Sequence, residues 1–93
     1  MKLVGENKLH KFAAKHANAR PAIKNWLGIV RRADWRSLID VKATFASADY
    51  VKNKIVFNVG GNNYRLVAVA EYSEGTLFIR EVMTHAEYDR WKA

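Results

Sequence analysis

The feature that most constrains this chain is a change of hydrophobic period part-way along it. Leu9, Phe12, Ala13 and His16 fall at i, i+3, i+4 and i+7, and Ile23, Trp26, Leu27 and Val30 repeat the same spacing. That spacing puts each set on one face of a helix. It predicts one helix from Asn7 to about Asn18 and a second from Ala22 to Ala33. Asn18-Ala19-Arg20-Pro21 interrupts the run, and Pro21 suits the first turn of the second helix. A loop this short folds two helices into an antiparallel hairpin. From Lys54 onward the apolar residues instead form short β-branched and aromatic runs, broken by Gly and Asn.

Those runs predict strands at Ile55 to Val59, Tyr64 to Tyr72 and Thr76 to Met83. Gly60-Gly61-Asn62-Asn63 is a turn cluster, because Gly and Asn tolerate positive φ, and Glu74-Gly75 reads as a hairpin turn. Thr84 to Trp91 reads as a short helix, with Thr84 as cap and Glu87 completing a capping box. Met1 to Val4 is a short strand or an extended arm. Ser37 to Asp40 opens a turn of helix or an extended segment, and Asp49 to Asn53 is loop-like. The expected fold is α+β: an N-terminal helical hairpin packed on a small antiparallel sheet, with a short C-terminal helix.

The chain has 93 residues, which suits one domain spanning 1–93. It has no cysteine, so disulfide frameworks and thiolate metal sites are excluded. No apolar stretch approaches the roughly 20 residues of a membrane span, and the N-terminus lacks a leader pattern, so a cytoplasmic protein without membrane contact is expected. His10 and His16 would lie about 120° apart around a helix, a poor geometry for a shared metal. No metal or other cofactor is expected. The net charge is +7, which suits a polyanion or an acidic protein partner. Lys8, Lys11 and Lys15 form a stripe on the first helix, either a solvated face or a basic ridge toward phosphate.

Two arginines, Arg65 and Arg80, interrupt otherwise apolar strands, and each is costly if buried without a partner. A two-residue turn at Glu74-Gly75 sets Arg80 opposite Val69 and Arg65 opposite Thr84, with both guanidiniums on one face and His85 just beyond. A three-residue loop sends them to opposite faces. The one-face register assembles a phosphate-binding set with groups able to move protons. Arginine offers planar bidentate donors to phosphate, histidine titrates near neutrality, Tyr88 is a phenol and Lys54 supplies charge. Metal-free RNA cleavage needs a base for the 2′-OH, an acid for the leaving 5′-oxygen and cations for the charged phosphorane.

Two stretches resemble known signatures. Val56-Phe57-Asn58-Val59-Gly60-Gly61-Asn62-Asn63-Tyr64-Arg65 and Ile79-Arg80-Glu81-Val82-Met83-Thr84-His85-Ala86-Glu87-Tyr88-Asp89 resemble motifs of the HigB family of toxins. The similarity runs over nearly the whole chain. The resemblance implies a RelE-like fold, endoribonucleolytic cleavage of messenger RNA without metal, usually at the ribosome, and translation inhibition. It implies a HigA-type helix-turn-helix antitoxin as partner, with operator DNA contacted through the antitoxin complex. Carried onto this sequence, it makes Arg65 and Arg80 phosphate-binding and His85 the leading proton-transfer residue. Tyr88 becomes a substrate-orienting or proton-donating residue and Lys54 an auxiliary cation. Lys8, Lys11, Lys52 and Asn62 are the expected RNA contacts, Asn62 being also a turn residue, and Asp89 orients His85 or caps locally. A non-catalytic RNA- or ribosome-binding module is the alternative.

Overall fold

In the computed structural model, which describes residues 1–93, the helical half of the chain folds as α1 (Asn7–Lys15) and α2 (Arg20–Arg32). α1 ends earlier than its period suggests. His16 leaves helical geometry at φ −127°, its ring stacked on Phe12 at 4.3 Å, and a 3-10 turn over Ala17–Ala19 leads into α2. The hairpin is antiparallel and held at both ends. Arg31, in the last turn of α2, meets Glu6 before α1 at 2.7 Å, while Arg20 at the start of α2 donates to the Ala13 carbonyl near the end of α1 at 3.3 Å. The ambiguous middle segment is helical: α3 (Leu38–Thr44) is capped by Ser37, whose hydroxyl accepts from the Asp40 amide.

Five strands, β1 (Lys2–Val4), β2 (Asp49–Val51), β3 (Lys54–Val59), β4 (Tyr64–Glu71) and β5 (Thr76–Thr84), form one sheet in the order β1-β5-β4-β3-β2. The sheet is not wholly antiparallel, because β1 runs parallel to β5 with Leu3 opposite Leu77. A parallel pair needs a long crossover, and most of the chain lies between these two strands. Asp49 to Asn53 is not simply a loop: β2 pairs with β3 through a tight turn in which Lys52 (φ 52°) and Asn53 (φ 62°) are both left-handed. Two successive positive-φ residues match the twist of an antiparallel hairpin.

The β4–β5 connection departs from both registers considered above. It takes four residues, the 3-10 turn Tyr72–Glu74 followed by left-handed Gly75, so Glu71 faces Thr76. The register then slips. Ala68 pairs with Ile79 but Val67 pairs with Glu81, leaving Arg80 as the extra residue of a β-bulge. At the far end Arg65 lies opposite Met83 and Tyr64 opposite Thr84.

The core divides between the two faces of the sheet. α1, α2 and α3 cover one face around Phe57, which is fully buried and contacted by the rings of Trp26 (5.3 Å), Phe45 (5.4 Å) and Trp35 (6.0 Å). On the other face α4 (His85–Lys92) packs Tyr88 and Trp91 over Val56, Val67 and Met83. The capping box forms as expected: the Thr84 hydroxyl accepts from the Glu87 amide at 3.2 Å, and the Glu87 carboxylate accepts from the Thr84 amide at 2.9 Å.

Gly5 stands between β1 and α1 at φ +91°, where an added Cβ would lie 2.8 Å from the Ile79 carbonyl oxygen. Gly5→Ala is therefore expected to destabilise the fold by about 1–3 kcal/mol, read by urea denaturation; an unchanged midpoint would mean that the β1–α1 corner shifts freely. Acid should also loosen the structure. Hydrogen bonds from Arg31 and then His10 hold the Glu6 carboxyl below its ordinary 4.5, and the Thr84 amide does the same for Glu87. A carboxyl with a depressed folded value stabilises above its unfolded value and loses that contribution as pH falls through the folded one. The melting temperature should fall below about pH 4.5, less steeply in Glu87→Gln.

Candidate functional site

The four-residue β4–β5 connection sets both strand arginines on one face. From the turn, the register of Ala68 and Ile79 already sets Arg80 on the side of Val67, and the slip that follows brings Glu81 opposite Val67 and Met83 opposite Arg65. Its guanidinium lies 5.9 Å from the centre of the Phe78 ring, which pairs with Val69 on the α4 side of the sheet. Arg65 alternates with Val67 along β4 and faces the same way. The one-face arrangement is thus reached through a four-residue connection and not through a two-residue turn. Arg80 is exposed, whereas Arg65 is only 7% exposed.

Arg65 is tied into the turn between β3 and β4. Its Nη1 donates to the carbonyls of Asn62 (3.1 Å) and Tyr64 (3.0 Å), and its Nη2 donates to the Asn62 side-chain oxygen at 2.8 Å. The Tyr88 ring lies 5.4 Å away, a cation–π contact. No carboxylate pairs with it. The result is a buried positive charge with neutral acceptors only; its Nε–H has no acceptor in the protein, and its second Nη2–H meets only His85 Nδ1.

His85 opens α4 directly over this turn, where its amide donates to the Asn63 carbonyl at 2.9 Å. Its Nδ1 lies 3.0 Å from the Asn62 carbonyl oxygen and 3.3 Å from Arg65 Nη2, and its Nε2 lies 3.4 Å from the Asp89 carboxylate. Nδ1 cannot donate to the carbonyl and accept from the guanidinium at once. The shorter contact favours a proton on Nδ1, held by Asn62, which leaves the Nε2 lone pair for proton uptake. Asp89 then stands where it stabilises the imidazolium once Nε2 is protonated.

The remaining expected residues fall into two groups around this cluster. Tyr88 is buried, stacked on Trp91 at 5.8 Å, so its ring is core as much as site. Lys52 donates to the Trp91 carbonyl and lies 4.8 Å over the Trp91 ring, which gives it a capping role at the end of α4. Lys54 shares the face of Val56 and reaches back to the Lys52 carbonyl at 3.4 Å. Lys8 and Lys11, with Lys15 and His16, line a groove of about 480 Å³ closed on its other side by Glu81, Val82, Met83 and Glu87. That groove reaches the end of β5 from which α4 and His85 start. No contact joins Arg80, Lys54, Lys8 or Lys11 to the Asn62–Arg65–His85 cluster. No three His, Cys, Asp or Glu residues converge as a metal-binding group.

Residues 19–91 match the HigB toxin family, described as the RelE-like toxic component of a toxin–antitoxin system. The mRNA interferase toxin HigB of Escherichia coli (strain K12) is 33% identical over 96 residues, covering 100% of this chain and 92% of the relative. The mRNA interferase HigB of Shigella flexneri matches to the same extent. That of Escherichia coli O6:H1 is 27% identical over 93 residues, covering 97% and 90%. The chain belongs to the HigB toxin family. Its α+β fold, with helices on a five-stranded mixed sheet, is compatible with the RelE-like description.

For a HigB-family chain, the least visible part of the cluster is Asn62. Its carbonyl and its side chain both act, one toward His85 and both toward Arg65, and a residue in a turn-forming string carries no signal of that. Asp89 was easier to find, since i and i+4 on a helix share a face with His85. In a ¹⁵N–¹H correlation spectrum at alkaline pH, the His85 ring should carry its proton on Nδ1. A proton on Nε2 instead would mean that Arg65 and Asp89, and not Asn62, orient the ring.

Proposed function

We propose that this chain is the messenger-RNA-cleaving toxin of a type II toxin–antitoxin pair: a single HigB-like domain over residues 1–93 that acts in the cytoplasm on translated message at the ribosome and so inhibits translation and growth. The relatives carry the name mRNA interferase, and the chain's own support is the buried, carboxylate-free Arg65 held against His85. A cation kept out of water with only neutral partners favours an incoming anion. An imidazole beside it, with Nδ1 anchored by Asn62 and Nε2 backed by the Asp89 carboxylate, suits proton transfer at that anion. The chemistry needs no metal or other cofactor.

In this reading the scissile phosphate binds on the open face, between the Arg65 edge of the turn and the exposed side chain of Arg80. His85 Nε2 takes the 2′-OH proton as O2′ bonds to phosphorus and the P–O5′ bond breaks, and the 5′-oxygen leaves with a proton. Tyr88 is the second proton-transfer or substrate-orienting group. Arg65, Arg80 and Lys54 offset the charge of the phosphorane, and Asn62 positions Arg65 and His85. Lys8, Lys11 and Lys52 hold the flanking RNA strand by charge. The partner is a HigA-type antitoxin with a helix-turn-helix domain, through which the complex contacts its operator DNA.

Cleavage mapping on translated message tests this. Wild type should cut. His85→Ala should lose about 10²–10⁴-fold in rate, and Arg80→Ala about 100-fold, both keeping the wild-type melting temperature. Growth arrest on expression should be lost in parallel. Growth arrest that persists in folded His85→Ala without any cut message would favour the non-catalytic binding module.

A further inference from the structure

On the far side of the sheet from His85, α1 and α2 frame a groove of about 440 Å³ that the cleavage reading does not use. Its floor and walls include Ala13, Ala14, Ile23 and Leu27. Along α2, Arg20, Lys24, Leu27 and Arg31 fall at i, i+4, i+7 and i+11, one continuous stripe. With His10 they give the groove a basic rim, and the one carboxylate beside it, Glu6, is already shared between Arg31 and His10. Lys24 has no protein partner, and beyond it Asn25, Gly28 and Arg32 continue the surface.

We infer that this groove docks an acidic amphipathic helix of the antitoxin, apolar residues down and carboxylates flanking. The inference rests on the toxin–antitoxin reading above. The groove has no Phe, Tyr or Trp ring on which a base could stack, and its His10 ring is turned to the Glu6 carboxylate at 3.0 Å; a phosphate backbone gains nothing from alanine and leucine, so a protein segment fits better than RNA. α1 has nine residues, about 13 Å of helix, so two to three turns of an incoming helix span the groove. Carboxylates spaced i, i+4 on that helix meet Lys24 and Arg20, while its apolar side meets Ala14 and Leu27. Because the groove lies behind the sheet, occupation there anchors the antitoxin without itself covering His85.

The test uses the antitoxin encoded in the adjoining reading frame, titrated against the full chain. Ala14→Glu and Lys24→Glu, both at exposed positions, should each weaken binding at least about tenfold, and Lys24→Arg should keep it. Melting temperature and message cleavage should stay at wild-type values. Antitoxin affinity unchanged in both charge variants would overturn the groove while leaving the toxin–antitoxin reading intact. Loss of RNA cleavage with antitoxin affinity intact would overturn it in favour of an RNA surface. A wild-type chain that binds no antitoxin at all would sink both.

Discussion

A guanidinium held out of water beneath a helix is a demanding thing to build, and much of this structure is arranged around Arg65. Its charge cannot be relieved by losing a proton, and no carboxylate reaches it. The acceptors come from one turn, so that turn must double back on the strand it opens. Gly60 and Gly61, both at positive φ, let it do so, and a side chain on Gly60 would crowd the Tyr64 ring at 3.1 Å. The same turn holds α4 through the bond from the His85 amide to the Asn63 carbonyl. Strand end, turn and helix start are therefore fastened at one place, and the imidazole stands where they meet.

The two faces of the sheet divide the work. The face beneath α1, α2 and α3 is dry and aromatic, centred on Phe57, and its packing keeps β3, β4 and β5 in register. The other face is covered only where Tyr88 and Trp91 lie on Val56, Val67 and Met83. Beyond that cover Lys54 and Arg80 stay at the surface. The bulge in β5 keeps a further charge, Glu81, on the open side of this division. An unbroken ladder from Ala68 and Ile79 would set Glu81 opposite Leu66 and turn it toward the helices, a burial costing several kcal/mol.

Periodicity carried most of the fold: both N-terminal helices, the three long strands and the capping box at Thr84 and Glu87 were legible in apolar spacing and cap residues. What escaped it were features with weak local signals. β1 is three residues long and earns its place only by pairing with distant β5. The left-handed Lys52 in the β2–β3 turn is a conformation a lysine rarely takes. The four-residue connection was hidden because Glu74-Gly75 suggests a shorter one, and the bulge at Arg80 has no local signal. At the site, residue types pointed to Arg65, Arg80, His85 and Tyr88. Their partners were hidden, because hydrogen bonds from Arg65 to a carbonyl three residues back leave no pattern in sequence, and Lys52 turned out to cap α4.

The separation of the two arginines has its own logic. Arg80 stands three residues along β5 from Met83, the residue opposite Arg65, so the two lie about 10 Å apart along the strand direction. Two guanidiniums on one face repel, and one is anchored while the other rests only on the rim of Phe78. An anion between them removes the repulsion and gives Arg80, with its long exposed side chain, a reason to move inward. Arg65 cannot move to meet it, since Asn62 and Tyr64 hold both of its terminal nitrogens. The fixed cation and the imidazole thus define where a phosphate must sit, and the exposed cation supplies a second guanidinium from the other side.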